Sequence, residues 1–368
     1  MQHDYERAHA KLAGQEGEGL VSDVQIGKRR IGDGQPCFIV AEAGSNHNRS
    51  LVQAKQLIDV AASAKADAVK FQVFRADRLY PRSAGVSDYL GTSESIHSVV
   101  AKMEMPYEWL PELTTYSQGK GLLFLASVFD EESVDKVDPY VGAFKIASYE
   151  ITHIPFLRYV AARGKPVIIS TGASDLNEVA TAVDHFRQTG NDELILMQCT
   201  AAYPAPLESL NIRAIATLKS AFHVPVGLSD HSRDPLLGPL AAVGAGANLI
   251  EKHFTLSNAL PGPDHRFALE PTELRLMVEK VRQAEKALGN GEKTVHPVER
   301  ELRVFARRGI FAVRDIEVGD EMTRENLAIL RCGKLQAGLE PKHLRELLGK
   351  HAKRNIPAES PIQRGDYA

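Results

Sequence analysis

Short apolar runs alternate with longer amphipathic stretches over most of the chain. The apolar runs are nearly continuous, which is typical of strands buried on both faces, as in a parallel sheet. They predict eight strands, at 37–43, 68–74, 122–129, 143–148, 166–171, 194–199, 225–230 and 249–255. The amphipathic stretches predict helices between them, at 51–64, 107–119, 154–163, 175–188, 211–220, 234–246 and 271–288.

Eight strand–helix units over about 250 residues match a (β/α)8 TIM barrel. A doubly wound parallel sheet is the competing architecture, and the even spacing of the units favours the closed barrel. Before the barrel, Gly27, Gly32 and Gly34 provide turn chemistry within residues 24–35, and they predict a hairpin across the barrel floor.

The chain changes character after the last predicted helix. Residues 289–302 carry glycines, a proline and mixed charges, which indicate a linker. Beyond it, the short strand-like pieces GIFAVRDI and AIL predict a small β-rich domain at 303–368. We therefore expect an α/β protein with a flexible lead-in at 1–22, a TIM-barrel domain at 23–288, the linker and this C-terminal domain.

Composition narrows the class of protein. The chain has 368 residues, 43% of them hydrophobic, and a formal net charge of −3. That charge offers no reason to expect binding to nucleic acid or to an anionic membrane. No apolar stretch approaches the roughly 20 residues that cross a bilayer, and the polar N-terminus lacks a signal-peptide core. Three scattered cysteines, Cys37, Cys199 and Cys332, suit a reducing compartment, so we expect a cytoplasmic protein.

Ionisable and hydroxyl residues gather where the predicted strands end, which is where TIM barrels carry their active sites. Lys70 and Lys145 come from the second and fourth strands, and two ammonium groups with nearby hydroxyls can bind a phosphate and a carboxylate. The alternative is a structural network in which these lysines only neutralise Glu42 and Glu150. The hydroxyls are those of Ser127, Ser148, Ser170 and Ser229.

Two histidines form a second candidate site. His231 ends the seventh predicted strand and His253 lies on the eighth, so their imidazoles can meet at the barrel mouth. Two imidazoles with open positions suit Mn, Fe, Zn or a similar divalent ion. Glu251 and Asp264 can orient a sugar or transfer protons. No nucleotide-binding glycine motif occurs in the chain.

Taken together, eight motifs resemble the sialic acid synthase family, which includes N-acetylneuraminate, pseudaminic and legionaminic acid synthases and spore-coat polysaccharide synthase-like proteins. The segment at 308–331 is similar to the family's antifreeze-like (SAF) domain. In chain order the motifs are AEAGSNHN at 41–48, KFQ at 70–72, FKIAS at 144–148, STG at 170–172, CTAAYPAP at 199–206, GLSDHS at 227–232, EKHFT at 251–255 and PGPD at 261–264.

The resemblance implies an enzyme that condenses phosphoenolpyruvate with an unphosphorylated N-acetylated hexosamine, N-acetylmannosamine or a deoxy or diacetamido relative. It implies that the two lysines and four serines above bind phosphoenolpyruvate, and that His231 and His253 hold a divalent metal, Mn²⁺ in the first place and Mg²⁺ or Co²⁺ as alternatives. Glu42, Glu150 and Glu251 are the catalytic candidates, and Gln72, Tyr203, Asp264 and Arg331 the acceptor-binding ones.

In the family, an arginine of the antifreeze-like domain reaches the partner subunit's site, so the resemblance also implies a domain-swapped homodimer in which Arg331 plays that part. Several positions depart from the family pattern and leave the sugar open, namely Arg49, Ala201, Tyr149 and Cys332. Two rival hypotheses remain, a phosphoenolpyruvate-dependent synthase with a phosphorylated or other aldose acceptor and a non-catalytic sugar-binding protein.

Overall fold

The computed structural model describes residues 23–86 and 93–368, so the lead-in expected at 1–22 lies outside the described residues. The chain forms two compact units, the first ending at Gly289 and the second running from Asn290 to Ala368.

The first unit is built on a closed barrel of eight parallel strands in sequential order. This confirms the closed (β/α)8 barrel over the doubly wound sheet. Nearly every residue of these strands is buried, as expected for strands covered on both faces. The strands are β3 (Phe38–Gly44), β4 (Ala68–Val73), β5 (Leu123–Val128), β6 (Phe144–Ile146), β7 (Val167–Ser170), β8 (Leu194–Cys199), β9 (Val226–Asp230) and β10 (Leu249–His253).

A hairpin covers the floor of the barrel, as the glycine pattern predicted. Its strands β1 (Val24–Ile26) and β2 (Arg29–Ile31) pair antiparallel. Ile26 and Ile31 are fully buried and join the inward-facing apolar residues of the barrel, among them Phe38 and Leu249, in one core cluster. This apolar floor leaves the carboxyl ends of the strands as the place where polar side chains can face the interior.

Helices cover the outside of the barrel and bury the outward-facing strand residues. The short helices α2 and α3 and the helix after β5 were not located from the sequence. The helices are α1 (Leu51–Ser63), α2 (Ala76–Leu79), α3 (Ile96–Ala101), α4 (Leu110–Gly119), α5 (Glu131–Val137), α6 (Ile154–Ala161), α7 (Leu176–Arg187), α8 (Ala214–Phe222), α9 (Leu237–Gly244) and α10 (Pro271–Leu288). Within the described ranges, no helix has the length and apolar character needed to span a membrane.

The second unit is small and rich in extended chain. Its strands β11 (Arg308–Ala312) and β12 (Leu327–Arg331) pair antiparallel at the two predicted strand-like pieces. Ile310, Met322 and Ile362 are among the residues of its own apolar core. Two short helices complete it, α11 (Arg300–Phe305) and α12 (Leu344–Leu347), and α11 overlaps the end of the linker expected at 289–302.

Candidate active site

Lys70 lies at the centre of a buried polar layer near the carboxyl ends of the strands. Its ammonium is 2.7 Å from Glu42 Oε2 and donates to Ser127 Oγ at 2.8 Å. Gln72, two residues along the same strand, donates from Nε2 to Glu42 Oε1 at 3.0 Å. These neighbours meet because β4 pairs Lys70 with Glu42 on one side and Gln72 with Ser127 on the other.

Lys145 occupies the same layer across the barrel. Its Nζ donates to Ser170 Oγ at 2.6 Å and to the carbonyl of Ile146 at 3.0 Å. Glu251 lies between the two ammonium groups, 3.6 Å from that of Lys70 and 3.9 Å from that of Lys145. The alternative of a structural network expected Lys145 to neutralise Glu150. Among the described residues, however, the carboxylate within ion-pair distance of Lys145 is that of Glu251.

The remaining serines complete the layer. Ser229 donates from Oγ to Glu251 Oε1 at 3.1 Å. Ser148 Oγ accepts the backbone N–H of Gly172 at 3.0 Å. A Cβ at Gly172 would lie 2.8 Å from Ser148 Oγ and 3.1 Å from Cys199 Sγ, so the glycine allows these side chains to pack against the strand end. Ser127 and Ser170 therefore contact the two lysines and Ser229 contacts Glu251, whereas Ser148 bonds to the backbone two residues after Ser170.

The pKa values of the two lysines in this layer shift in opposite directions. Burial would lower the pKa of Lys70, but the carboxylates of Glu251 and Glu42 outweigh burial and raise it. Burial prevails at Lys145, whose pKa is lowered although Glu251 opposes the shift. Burial would raise the pKa of Glu251, but Lys145 and Lys70 lower it. An anion bound beside Lys145 would favour its charged form, so the layer is electrostatically suited to anion binding.

His231 and His253 lie together at the mouth, with ring centroids 5.5 Å apart. His231 Nδ1 lies 2.9 Å from the carbonyl of Thr200 and donates to it, which leaves Nε2 as the lone-pair nitrogen. His253 Nδ1 is buried and has no hydrogen-bond partner among the described residues. Burial lowers the pKa of His231 to about 4 and that of His253 well below its ordinary value, so both rings are neutral near pH 7.

His231 Nε2 lies 3.4 Å from Ser229 Oγ, whose proton goes to Glu251, so Nε2 keeps its lone pair. Neutral imidazoles with such nitrogens are what a divalent metal binds, so these two residues fit the metal expected from the sequence. Within the described part of the chain, no group of three or more His, Cys, Asp or Glu side chains could hold an ion. A metal held by the histidine pair would therefore keep open positions for other ligands.

Aromatic rings enclose the histidine pair. Tyr203 stacks on His231 with a centroid distance of 4.1 Å and lies edge-on to His253 at 6.0 Å. Phe267 packs 5.3 Å from both Tyr203 and His253. Tyr203 was predicted to bind the acceptor and lies beside the predicted metal site, whereas Phe267 was not identified from the sequence.

Asp264 and Glu150 are carboxyl groups with pKa values near neutrality. Burial, helped by the nearby charge of Glu42, raises the pKa of Asp264 to about 7. A Cβ at Gly44 would lie 3.4 Å from both Gln72 Nε2 and Glu42 Oε1 and 3.6 Å from Asp264 Oδ2, so these three side chains converge. Burial also raises the pKa of Glu150 to about 7, and its Oε2 has no hydrogen-bond partner in the part of the chain that the structure describes.

Arg331 is the predicted site residue that the barrel does not contain. It lies at the end of β12 in the second unit, where its side chain is exposed. No carboxylate of the described residues is within ion-pair distance of it. Its role in acceptor binding stays a prediction.

Two further features near the mouth received no role from the sequence. Cys199 Sγ is 3.8 Å from His231 Nδ1. Its position at the end of a barrel strand could have indicated from the sequence that it lies near the site. Asp230 and Lys252 adjoin the two histidines in sequence and form a buried ion pair of 2.6 Å. Their positions at the strand ends were visible, but their pairing depends on the register of β9 and β10.

Comparisons with known proteins match both units. The model of the NeuB family matches residues 57–293, and that of the SAF domain matches residues 307–368.

Named relatives and a solved structure match over most of the chain. Spore coat polysaccharide biosynthesis protein SpsE of Bacillus subtilis is 45% identical, over 92% of this chain and 95% of its own length. N,N'-diacetyllegionaminic acid synthase of Legionella pneumophila is 38% identical, over 90% and 94%. The crystal structure of N-acetylneuraminic acid synthetase from Leptospira borgpetersenii has a TM-score of 0.70 and 34% identity, over 78% of this chain and 97% of that one.

Proposed function

Since the chain belongs to the NeuB family of nonulosonic acid synthases, which are condensing transferases, we propose that it condenses phosphoenolpyruvate with an unphosphorylated N-acetylated hexosamine and water and releases phosphate. The observation that carries this proposal is the buried layer in which Lys70, Lys145 and Glu251 converge beside two neutral imidazoles. An unpaired buried charge is costly. Lys70 has Glu42 at 2.7 Å, whereas Lys145 has Glu251 at 3.9 Å, and burial lowers the pKa of Lys145. An anion bound beside Lys145 would favour its charged form.

In the proposed reaction, carbon 3 of phosphoenolpyruvate forms a bond to the aldehyde carbon of the open-chain sugar, and the aldehyde oxygen takes a proton to become a hydroxyl. Water adds at carbon 2, and the tetrahedral intermediate loses phosphate by cleavage of its C–O bond. Lys70, Lys145 and the four serines bind the phosphate and carboxylate groups and orient them. A carboxyl group with a pKa near 7, such as Glu150, is suited to donate the proton at neutral pH.

We propose that His231 and His253 hold a divalent metal, with Mn²⁺ preferred over Mg²⁺ and Co²⁺. When bound, such an ion would act as a Lewis acid toward the acceptor aldehyde. Tyr203 and Phe267 pack against the two rings and restrict their orientation and their access to water. Glu42, Gln72 and Asp264 converge at Gly44, where they can bind the hydroxyls of the acceptor.

The names of the relatives support an amino-sugar acceptor as a class. They include an N,N'-diacetyllegionaminic acid synthase and an N-acetylneuraminic acid synthetase, so we propose N-acetylmannosamine or a deoxy or diacetamido relative. We further propose a cytoplasmic homodimer. The three cysteines are all buried and free, which suits a reducing compartment.

A phosphate-release assay tests the proposal. The purified chain is incubated with phosphoenolpyruvate and Mn²⁺, and with N-acetylmannosamine, a diacetamido-trideoxy hexose or a phosphorylated hexosamine. We expect phosphate release only with an unphosphorylated acetamido sugar, together with a nonulosonic acid product detected by mass spectrometry. Release with the phosphorylated sugar alone would favour the rival synthase. Binding of sugars without any release would favour the non-catalytic hypothesis.

A further inference from the structure

We propose that the buried ion pair between Asp230 and Lys252 is a positioning device that fixes the imidazoles of His231 and His253 relative to each other. The inference rests on the metal site of the proposed function and assigns a role to two residues that would not touch the metal. They act through the backbone of the two strands that carry the histidines.

The pair joins the last two strands of the barrel just behind the histidines. Asp230 and Lys252 are directly opposite in the register of β9 and β10, and each immediately precedes a histidine in the chain. Their side chains alternate with those of Ser229, Glu251 and the histidines, which face the interior, so the pair lies on the outer face of the barrel wall. The distance from Lys252 Nζ to Asp230 Oδ2 is 2.6 Å, and both residues are at most 2% exposed.

Lys252 contacts the residues on either side of His231 in the chain, Asp230 and Ser232. Besides its ion pair with Asp230, its ammonium donates to the carbonyl of Ser232 at 2.7 Å and contacts Ser232 Oγ at 3.2 Å. Asp230 Oδ1 in turn accepts the backbone N–H of Ser232 at 2.8 Å. The ammonium thus binds both neighbours of His231, and Lys252 itself precedes His253 in the chain, so the pair couples the ends of the two strands.

Helix α9 closes over the pair. A Cβ at Gly238 would lie 2.4 Å from Asp230 Oδ2, so a larger residue would press directly on the carboxylate. Glycine at this position lets the first turn of α9 cover the ion pair and exclude water from it.

Stability alone is a poor explanation for charges at these two positions. The preceding outward-facing residues on the same strands are the apolar Leu228 and Ile250, which pack in the outer core. A buried ion pair contributes little net stability relative to an apolar pair of similar volume. What the ion pair supplies here, and an apolar pair does not, is a set of directional bonds across the two strand ends.

The test compares Mn²⁺ affinity, measured by calorimetry and by electron paramagnetic resonance of free Mn²⁺, in full-length metal-stripped chains. The double variant Asp230→Asn with Lys252→Met leaves no stranded charge and should fold. We expect it and Lys252→Met to bind Mn²⁺ at least about tenfold more weakly, as is typical when residues that orient metal ligands are lost. Thermal unfolding in a chelator reports the cost to stability separately.

Arg282→Met is the matched control. Arg282 pairs with Asp67 at 2.7 Å near the opposite end of the barrel, and Asp67 keeps Arg29 as a partner at 2.7 Å. This variant should lose stability while its Mn²⁺ affinity stays at the wild-type value. Wild-type affinity in the folded double variant would overturn the inference, as would an equal loss in the control. If the wild type bound no Mn²⁺ yet released phosphate, the metal site and this inference would fail while the proposed condensation stood.

Discussion

Burial of Glu150 affects both the stability of the protein and the ability of this carboxyl group to act as an acid. Burial raises its pKa from an ordinary value of 4.5 to about 7. The folded protein therefore binds this proton more tightly than the unfolded chain does. The resulting contribution to stability is fully present below about pH 4.5 and is lost as the pH rises through about 7. The same shift keeps much of the group protonated at neutral pH, where it can act as an acid.

We therefore predict that Glu150→Gln lowers kcat by about 10²–10⁴-fold, the usual contribution of a general acid. In the wild type, kcat should fall as the pH rises through about 7, because the ionised carboxylate has no proton to donate. The variant should lose this alkaline limb, and at alkaline pH it should unfold at a higher temperature than the wild type because it buries no charge. Steady-state pH profiles and thermal unfolding measure these effects.

The variant Asp264→Asn distinguishes the roles of Asp264 and Glu150, the two carboxyl groups whose pKa values lie near 7. Asp264 adjoins Glu42 and Gln72, so its loss should raise KM for the acceptor while the alkaline limb of kcat remains. If instead Asp264→Asn abolished that limb and Glu150→Gln retained it, the proton donor would be Asp264.

The two buried lysines lead to a prediction about phosphoenolpyruvate. Lys70→Ala and Lys145→Ala should each weaken its binding by roughly ten- to a hundredfold, because each removes a charge-assisted contact of about 1.5–3 kcal/mol. Calorimetric titration without an acceptor measures this affinity. Lys165→Ala is the control, since Lys165 pairs with Asp138 at 2.7 Å at the amino end of β7. Wild-type affinity in both lysine variants would favour the structural network.

At the scale of the elements, β9 packs so closely against its neighbouring strands that there is no room for a side chain at Gly227. A Cβ at Gly227 would lie 2.4 Å from the carbonyl oxygen of Leu249 and 2.7 Å from Met197 Sδ. The carbonyl belongs to the start of β10 and cannot move without disturbing the pairing of Ile250 with Leu228. The wall therefore requires glycine at this point.

We predict that Gly227→Ala destabilises the protein by about 1–3 kcal/mol, as overpacking of a core typically does. Gly244→Ala is the matched control, because Gly244 ends α9 and a Cβ added there would meet no atom of the described residues within 4 Å. Alanine also favours a helix. Chemical denaturation should place the control at or above wild-type stability. Equal stability of both variants would mean that β9 and β10 can separate without cost.

The strands were the most predictable elements, because residues such as 38–41 and 194–197 are apolar without interruption and are buried on both faces. The short helices α2 and α3 were missed because four to six residues carry too little periodicity. The predicted helix at 234–246 contracts to Leu237–Gly244, since Asp234 uses its side chain to accept the N–H groups of Leu236 and Leu237.

The layer of lysines and serines was also predictable, because parallel strands bring their carboxyl ends to one side of the barrel. The side-chain partners were not. The pairing of Lys145 with Ser170 rather than Glu150 depends on where β6 ends. Which nitrogens of His231 and His253 can reach a ligand depends on the orientation of their rings. Periodicity determines which face of a strand a residue occupies, but not the rotamer of its side chain.

At the scale of the whole molecule, the second unit presents positive charge at the end of its two-stranded sheet. Arg308 and Arg331 are opposite each other in the antiparallel register, and both are exposed. Like charges in this arrangement repel, and an anion from outside the unit would relieve that repulsion. An exposed arginine beside a second basic residue is suited to complete a site that binds phosphate and carboxylate groups.

We predict that Arg331 of one chain completes the active site of its partner in a homodimer. Co-expression of an Arg331→Ala chain with a Lys145→Ala chain tests this with phosphoenolpyruvate kept well below saturation, where each chain alone should have little activity. If sites are shared, a mixed dimer contains one site with both defects and one with neither. Random pairing would then restore about a quarter of wild-type activity, because half the dimers are mixed and half their sites are intact. If each chain used its own arginine, both sites of every mixed dimer would carry a defect, and co-expression would restore nothing. Co-expression is preferable to mixing purified chains, because preformed dimers need not exchange subunits, and a fully active monomer would contradict the prediction directly.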